Sequence, residues 1–305
     1  MTVSAVSIPS PPNGNESYSM FVWVPQVGGS SDPMSSDTNM QNLLNFCSTN
    51  GINVLYLDIW VYLGGSNFST SHAQVFQKFI HYAHASGIRV YALAGNNDWG
   101  QNQQWVFGNI VKNIAQYNAY CVNNSTNTFG SFDGVVLDAE YWTQSGGYTS
   151  TDVVGMCDLI KAMKTALNLP VGFCPAVWLA DPTSAALTVT YDGYTGLEGQ
   201  ALMTVADFCC VQTYYNNSTT QISTFQNWFN FASQTGLGYN FGLYCVSLTD
   251  NGFGSQSYWT GVAGAKATLT AAQTAISNAF TGSPNTNAAF RGNCVEQYFS
   301  YKQMT

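Results

Sequence analysis

A chain of 305 residues with 46% hydrophobic and 14% aromatic side chains has ample apolar area for one large domain, which excludes an intrinsically disordered chain. Only 8% of its residues are charged and the net charge is −8, so it has too few cations to neutralise nucleic-acid phosphates or to hold an anionic membrane. The surface must then be built from Asn, Gln, Ser, Thr, Tyr and Gly, a composition that suits a secreted, extracellular protein or one that packs against its own copies.

The opening "MTVSAVSIPSPPNGNES" is rich in Pro, Ser and Asn and lacks the basic start and apolar stretch of a secretory signal, which leaves the export route open. Residues 1–17 read as a lead segment and 18–305 as one domain, with no linker to split it. "YSMFVWVPQ" reads as a first strand. Asp37 could cap a helix with Met40, Leu43, Leu44 and Cys47 on one face, closed by Gly51. "INVLYLDIW" is a second strand, and a helix from about Ser71 carries Val75, Phe79, Ile80 and Ala83 at helical spacing. "IRVYALAGNNDW" is a third strand, followed by a helical stretch around Trp105, Ile110, Val111, Ile114 and Tyr117.

"SFDGVVLDAEYW" is the fourth strand. Alternation puts Val136, Asp138, Glu140 and Trp142 on one face and Val135 and Leu137 on the other. A helix from Thr151 or Asp152 to Leu167 follows, then "PVGFCPAVWL" as the fifth strand. Ala180 to Ala206 reads as a long irregular connection with one short helix near "GQALMTVA". "DFCCVQTYYN" is the sixth strand, "NFGLYCVSL" the seventh and "RGNCVEQYFSY" the eighth, each separated from the next by an amphipathic or Ala/Thr-rich helix.

Most of these strands are apolar throughout rather than alternating, as expected of a parallel sheet covered on both faces. Eight strand–helix units in about 300 residues fit a single α/β (β/α)8 TIM barrel. No glycine-rich phosphate loop follows the first strand, which argues against a nucleotide fold. No apolar run reaches the roughly 20 residues needed to cross a bilayer. Eight cysteines, five in strands and three in or near helices, read equally well as buried thiols or as containing one or more bridges. Sequons at Asn15, Asn67, Asn123, Asn124, Asn216 and Asn217 are weak pointers to secretion.

In such barrels chemistry sits at the C-terminal strand ends. Residues expected there are Asp58 and Trp60, Asn97 and Asp98, Asp138, Glu140 and Trp142, Trp178, Gln212 and Tyr214, Tyr244, then Glu296 and Tyr298. Aromatic faces stack on sugar rings, amides bond hydroxyls, and paired carboxylates can cleave a glycosidic bond.

"FDGVVLDAE" resembles the DGxDxDxE signature of family 18 glycoside hydrolases, the chitinase-type enzymes, with Asp133, Gly134, Asp138 and Glu140 in order and Val136 where the family has its middle Asp. "VQTYYN" is similar to the family's MxYD stretch, with Tyr214 matching its Tyr and Tyr215 in place of its Asp. The family's usual last-strand Trp is absent, Tyr298 and Phe299 being the nearest aromatics. Lysozyme-like muramidases of family 25 also carry an Asp-x-Glu at a strand end.

The resemblance implies that Glu140 protonates the leaving oxygen, that Asp138 orients a substrate N-acetyl group whose carbonyl attacks the anomeric carbon, and that Tyr214 bonds the same acetamide. Val136 removes the carboxyl that shares a proton with Asp138 in the family. A second mechanism pairs Glu140 with Asp58, Asp98 or Glu296. Asp133 and Asp207 belong at the opposite strand ends, and Asp181, Asp192, Glu198 and Asp250 read as loop residues.

His72, His81 and His84 lie on an outer helix away from the mouth, so no metal or other cofactor is expected, and no GxSxG elbow marks a serine nucleophile. The expectation is a secreted glycoside hydrolase acting on a carbohydrate polymer, an N-acetylhexosamine-containing one by the resemblance. The alternative is a non-catalytic barrel that binds carbohydrate or builds an extracellular homo-assembly.

Overall fold

Among the described residues, eight of the ten strands run parallel and close on themselves in the order β1-β10-β9-β8-β5-β4-β3-β2. They are β1 (Ser17–Val22), β2 (Val54–Asp58), β3 (Arg89–Ala94), β4 (Gly134–Leu137), β5 (Val171–Phe173), β8 (Phe208–Gln212), β9 (Gly242–Leu248) and β10 (Phe290–Glu296). The remaining two, β6 (Thr188–Tyr191) and β7 (Tyr194–Leu197), form an antiparallel hairpin outside the barrel. These features come from a computed structural model that describes residues 17–29, 32–123, 130–234, 242–259, 265–280 and 290–304. Residues 1–16 of the 1–17 lead segment and the sequons at Asn15 and Asn124 lie outside the described residues, and Ser17 already belongs to β1.

The period-2 pattern of the strands divides the apolar residues between two cores. Inward-facing side chains, among them Phe21, Tyr56, Tyr91, Val136, Phe208 and Cys210, plug the barrel. The Tyr56 ring meets Phe21 edge-on at 5.1 Å and Tyr91 at 5.9 Å, and stacks on Phe208 at 6.3 Å. Outward-facing residues such as Val135, Leu137 and Phe173 pack against the helices.

The helices bury the faces their spacing dictates. Met40, Leu43, Leu44 and Cys47 are buried on the helix Asp37–Thr49, whose cap is Ser36 rather than Asp37: its side chain accepts from Asn39 N. The helix Ser150–Leu167 starts in a capping box of Thr149 and Asp152. After β3 the helical stretch is broken into Gln103–Val106, a π turn Phe107–Val111 and Lys112–Asn123.

Between β5 and β8 the chain is more regular than its composition foretells. Asp192 and Gly193, at φ 47° and 82°, make the tight turn of the β6–β7 hairpin, and the helix Glu198–Val205 follows. The Asp-Gly pair is the local signal for such a hairpin. All eight cysteines are buried free thiols, so the bridged alternative does not hold.

Candidate active site

Strand β4 ends at Leu137, but its ladder continues one residue further, Asp138 N donating to Ala94 O at 3.0 Å. Gly95 makes room for this approach: a Cβ there would stand 1.9 Å from Asp138 O. Tyr141–Thr143 then wind into a 3-10 turn, which ends the strand alternation. Asp138 and Glu140 stay on the barrel-mouth side, whereas Trp142 turns aside and meets Tyr141 at 5.1 Å and Phe173 at 6.3 Å in the outer core.

Gln212, the last residue of β8, joins the two carboxylates. Its Nε2 donates to Asp138 Oδ1 at 3.0 Å and to Glu140 Oε1 at 2.9 Å. Glu296, the last residue of β10, brings in a third carboxylate, accepting from Tyr214 OH and from Trp23 Nε1, the latter at 3.3 Å. Thr249 holds the Glu296 carbonyl through its backbone N–H and its hydroxyl. All three acids are partly accessible.

Burial favours retained protons on two of these acids, Asp138 and Glu296. Burial, then the charges of Glu296 and Glu140, push the Asp138 carboxyl well above the usual carboxylate range, against the opposing hydrogen bond from Gln212. Burial raises Glu296 to about 7, with Asp250 and Glu140 adding to the shift and Tyr214 and Trp23 opposing it. The ion pairs among the described residues join Lys78 to Asp37, His84 to Asp133, Lys161 to Asp192 and Lys164 to Asp207, and none of them reaches the three acids.

A cleft of about 340 Å³ opens beside the cluster, lined by Trp23, Asp58, Trp60, Ala94, Gly95 and Asn96 among others. Asp58 lies at its edge but is tied to backbone, accepting from Val24 N at 3.2 Å and Trp60 N at 2.8 Å, and burial raises its pKa. A larger hollow of about 480 Å³ lies at the opposite strand ends beside Lys164, Asp207, Tyr244 and Arg291, far from this chemistry.

The structure thus gathers Asp138, Glu140, Gln212, Tyr214 and Glu296, with Asp58 and Trp60 along the cleft. Asp98 instead braces its own turn, accepting from Asn102 Nδ2 at 2.8 Å. Asn97 contacts the loop after β4, with Gln144 Nε2 donating to its carbonyl at 2.7 Å. Trp178 is half-buried against the outer core. Tyr298 is buried outside the barrel, edge-on to Phe46 at 5.3 Å, because the chain turns into a helical segment, Tyr298–Tyr301, directly after β10. Tyr244 sits low on β9 with its ring against the barrel plug.

Two residues, Trp23 and Glu198, are missing from the set expected at the strand ends. Trp23 lies just past β1, in the same run as the strand, and its position after a strand end is the available signal. Glu198 is no solvated loop residue. It is fully buried, accepts from Tyr141 OH and Tyr148 OH at 2.7 Å each and from Leu187 N at 2.8 Å, and burial raises its pKa despite those bonds. Glu198 therefore braces Tyr141, the neighbour of Glu140. Among the described residues no group of three or more His, Cys, Asp or Glu is arranged to hold a metal ion, and no helix is long and apolar enough to cross a membrane.

No protein-family model matches this chain, and no curated protein sequence matches it. Solved structures do. The fold is similar to that of a GH18 chitinase from Pseudoalteromonas aurantia, with a TM-score of 0.53 and 14% identity over 93% of this chain and 94% of that one. It is similar to GH5_18 from Streptomyces cattleya, solved in complex with GlcNAc, at a TM-score of 0.55 and 9% identity over 93% and 70% of the two chains. A GH113 β-1,4-mannanase shares the fold at 0.51 and 10% identity over 94% and 89%. The chain has a (β/α)8 TIM-barrel fold, which it shares with these solved structures.

Proposed function

We propose that this protein is an extracellular glycoside hydrolase acting on a polysaccharide, with Glu140 as the proton donor and Asp138 as its partner. The observation that carries this reading is the single Gln212 amide nitrogen bonded to both carboxylates at the barrel mouth. Two oxygens sharing one donor lie less than about 6 Å apart, close enough for both carboxyl groups to face one sugar unit.

Glu140 gives its proton to the leaving glycosidic oxygen as that bond to the anomeric carbon breaks. In an N-acetylhexosamine chain, the substrate class that the family 18 resemblance favours, the acetamide carbonyl oxygen attacks the same carbon while Asp138 holds the acetamide. Water, losing a proton to the Glu140 carboxylate, then opens the cyclic intermediate and restores the acid. The Tyr214 hydroxyl is committed to Glu296, so Glu296 takes part in the site that Val136 leaves one carboxyl short.

The test is release of reducing ends from chitin, mannan, xylan and β-glucan by the wild-type protein and by Glu140→Gln. Loss of about 10²–10⁴-fold in kcat is expected for the variant. A wild-type protein that binds one of these glycans and cleaves none is instead a carbohydrate-binding barrel, a reading that Val136 and the charge-poor surface favour.

A further inference from the structure

Exposed large apolar side chains are not spread evenly over the described residues. Those exposed beyond about a third are Val27, Trp60, Tyr82, Trp105, Val122 and Phe253, and four of them follow the C-terminal ends of β1, β2, β3 and β9. Trp60 and Trp105 form a pair: they are 40% and 42% exposed, with ring centroids 5.8 Å apart and planes tilted by 32°. A Trp ring left in water forgoes a large burial free energy, so two adjacent ones at a barrel mouth mark a surface made to be covered.

Their placement identifies what covers them. Trp60 lines the 340 Å³ cleft together with Trp23, which bonds Glu296 of the acid cluster. Trp105, on the short helix after β3, carries the aromatic surface one ring beyond Trp60. Amides flank the same stretch: Asn96 lines the cleft, and Asn97 stands beside it. Flat rings backed by amides suit the C–H faces and hydroxyls of sugar units, and no Lys or Arg is among the residues lining the cleft to hold an anionic chain.

We propose that Trp60 and Trp105 form an outer subsite, on which an uncharged polysaccharide lies after leaving the cleft. The substrate is therefore a polymer engaged well beyond the scissile bond. This rests on the reading of the mouth as a glycan site, and it stands or falls on binding rather than turnover.

The experiment uses the full chain carrying Glu140→Gln, run by affinity electrophoresis through gels containing glycol chitin, β-mannan, xylan or β-glucan. At least one polymer should retard it. The retardation should weaken on the order of tenfold in Trp60→Ala and Trp105→Ala. Trp60→Phe and Trp105→Phe should restore part of it, and Tyr82→Ala, on an outer helix, should leave it intact. No retardation by any of the four polymers, or retardation that survives the double Trp→Ala change, overturns the proposal. So does a double variant that alters self-association in sedimentation without altering retardation, since a second copy would then be the occupant. Retardation lost in the Trp variants while the wild type cleaves nothing keeps the outer subsite and removes the hydrolase reading.

Discussion

Gln212 Nε2 stands 2.9 Å from Glu140 Oε1 and is shared with Asp138, so one neutral amide from β8 links both acids at the end of β4. Hydrogen bonds to charged groups contribute about 1.5–3 kcal/mol. Gln212→Ala should therefore lower kcat/KM by about ten- to a hundredfold on whichever glycan the wild type cleaves. It should also shift the pH profile, because the variant loses the bond that opposes the upward shift of Asp138. An unchanged kcat/KM would mean that the bridge is incidental.

Glu296 makes stability depend on pH. Its carboxyl is raised from an ordinary 4.5 to about 7 in the folded chain, so between those values the native state binds more protons than the unfolded one. Its contribution is fully present below about pH 4.5 and is lost as pH rises through about 7. Glu296→Gln should flatten the fall in Tm across that window. A variant whose Tm declines as steeply as the wild type's would place the effect elsewhere.

Val136 is fully buried within the barrel plug, among Tyr56, Tyr91 and Cys210. Val136→Asp writes in the missing family 18 carboxyl, yet it places that group on an apolar face with no cation to pair it. A loss of about 3–5 kcal/mol is expected in urea unfolding, with no gain in turnover. Wild-type stability in this variant would show that the barrel interior can solvate a further acid.

Glu198→Ala would strip Tyr141 OH, Tyr148 OH and Leu187 N of their shared acceptor. Tyr141 is buried whereas Tyr148 and Leu187 are half-buried, so the loss should be at least the roughly 1–3 kcal/mol of one unsatisfied buried group, and Glu198→Gln should lose less. Equal unfolding midpoints for the two variants would contradict the bracing role.

Local pattern carried the fold. Apolar runs such as Val54–Asp58 and Gly134–Leu137 alternate with helices whose buried faces follow the 3.6-residue period, and that rhythm needs no knowledge of distant contacts. The Asp138-x-Glu140 pair was equally legible, since the alternation begun in β4 runs on beyond Leu137, with Ala139 in the outer core, as far as Glu140. Past that point parity fails: the turn at Tyr141–Thr143 swings Trp142 into the outer core, and the helical segment after Glu296 does the same to Tyr298.

What only the tertiary structure decided is which strand ends meet. Gln212 reaches Glu140 across 72 residues and Asp138 across 74, Tyr214 reaches Glu296 across 82, and Trp23 reaches Glu296 across 273 because β1 and β10 are neighbours in the closed sheet. Barrel closure sets those pairings, and no periodicity in the chain encodes them. The protonation of Asp138 and Glu296, and the exposure of Trp60 beside Trp105, follow from those encounters, since burial and neighbouring charge are properties of the assembled mouth.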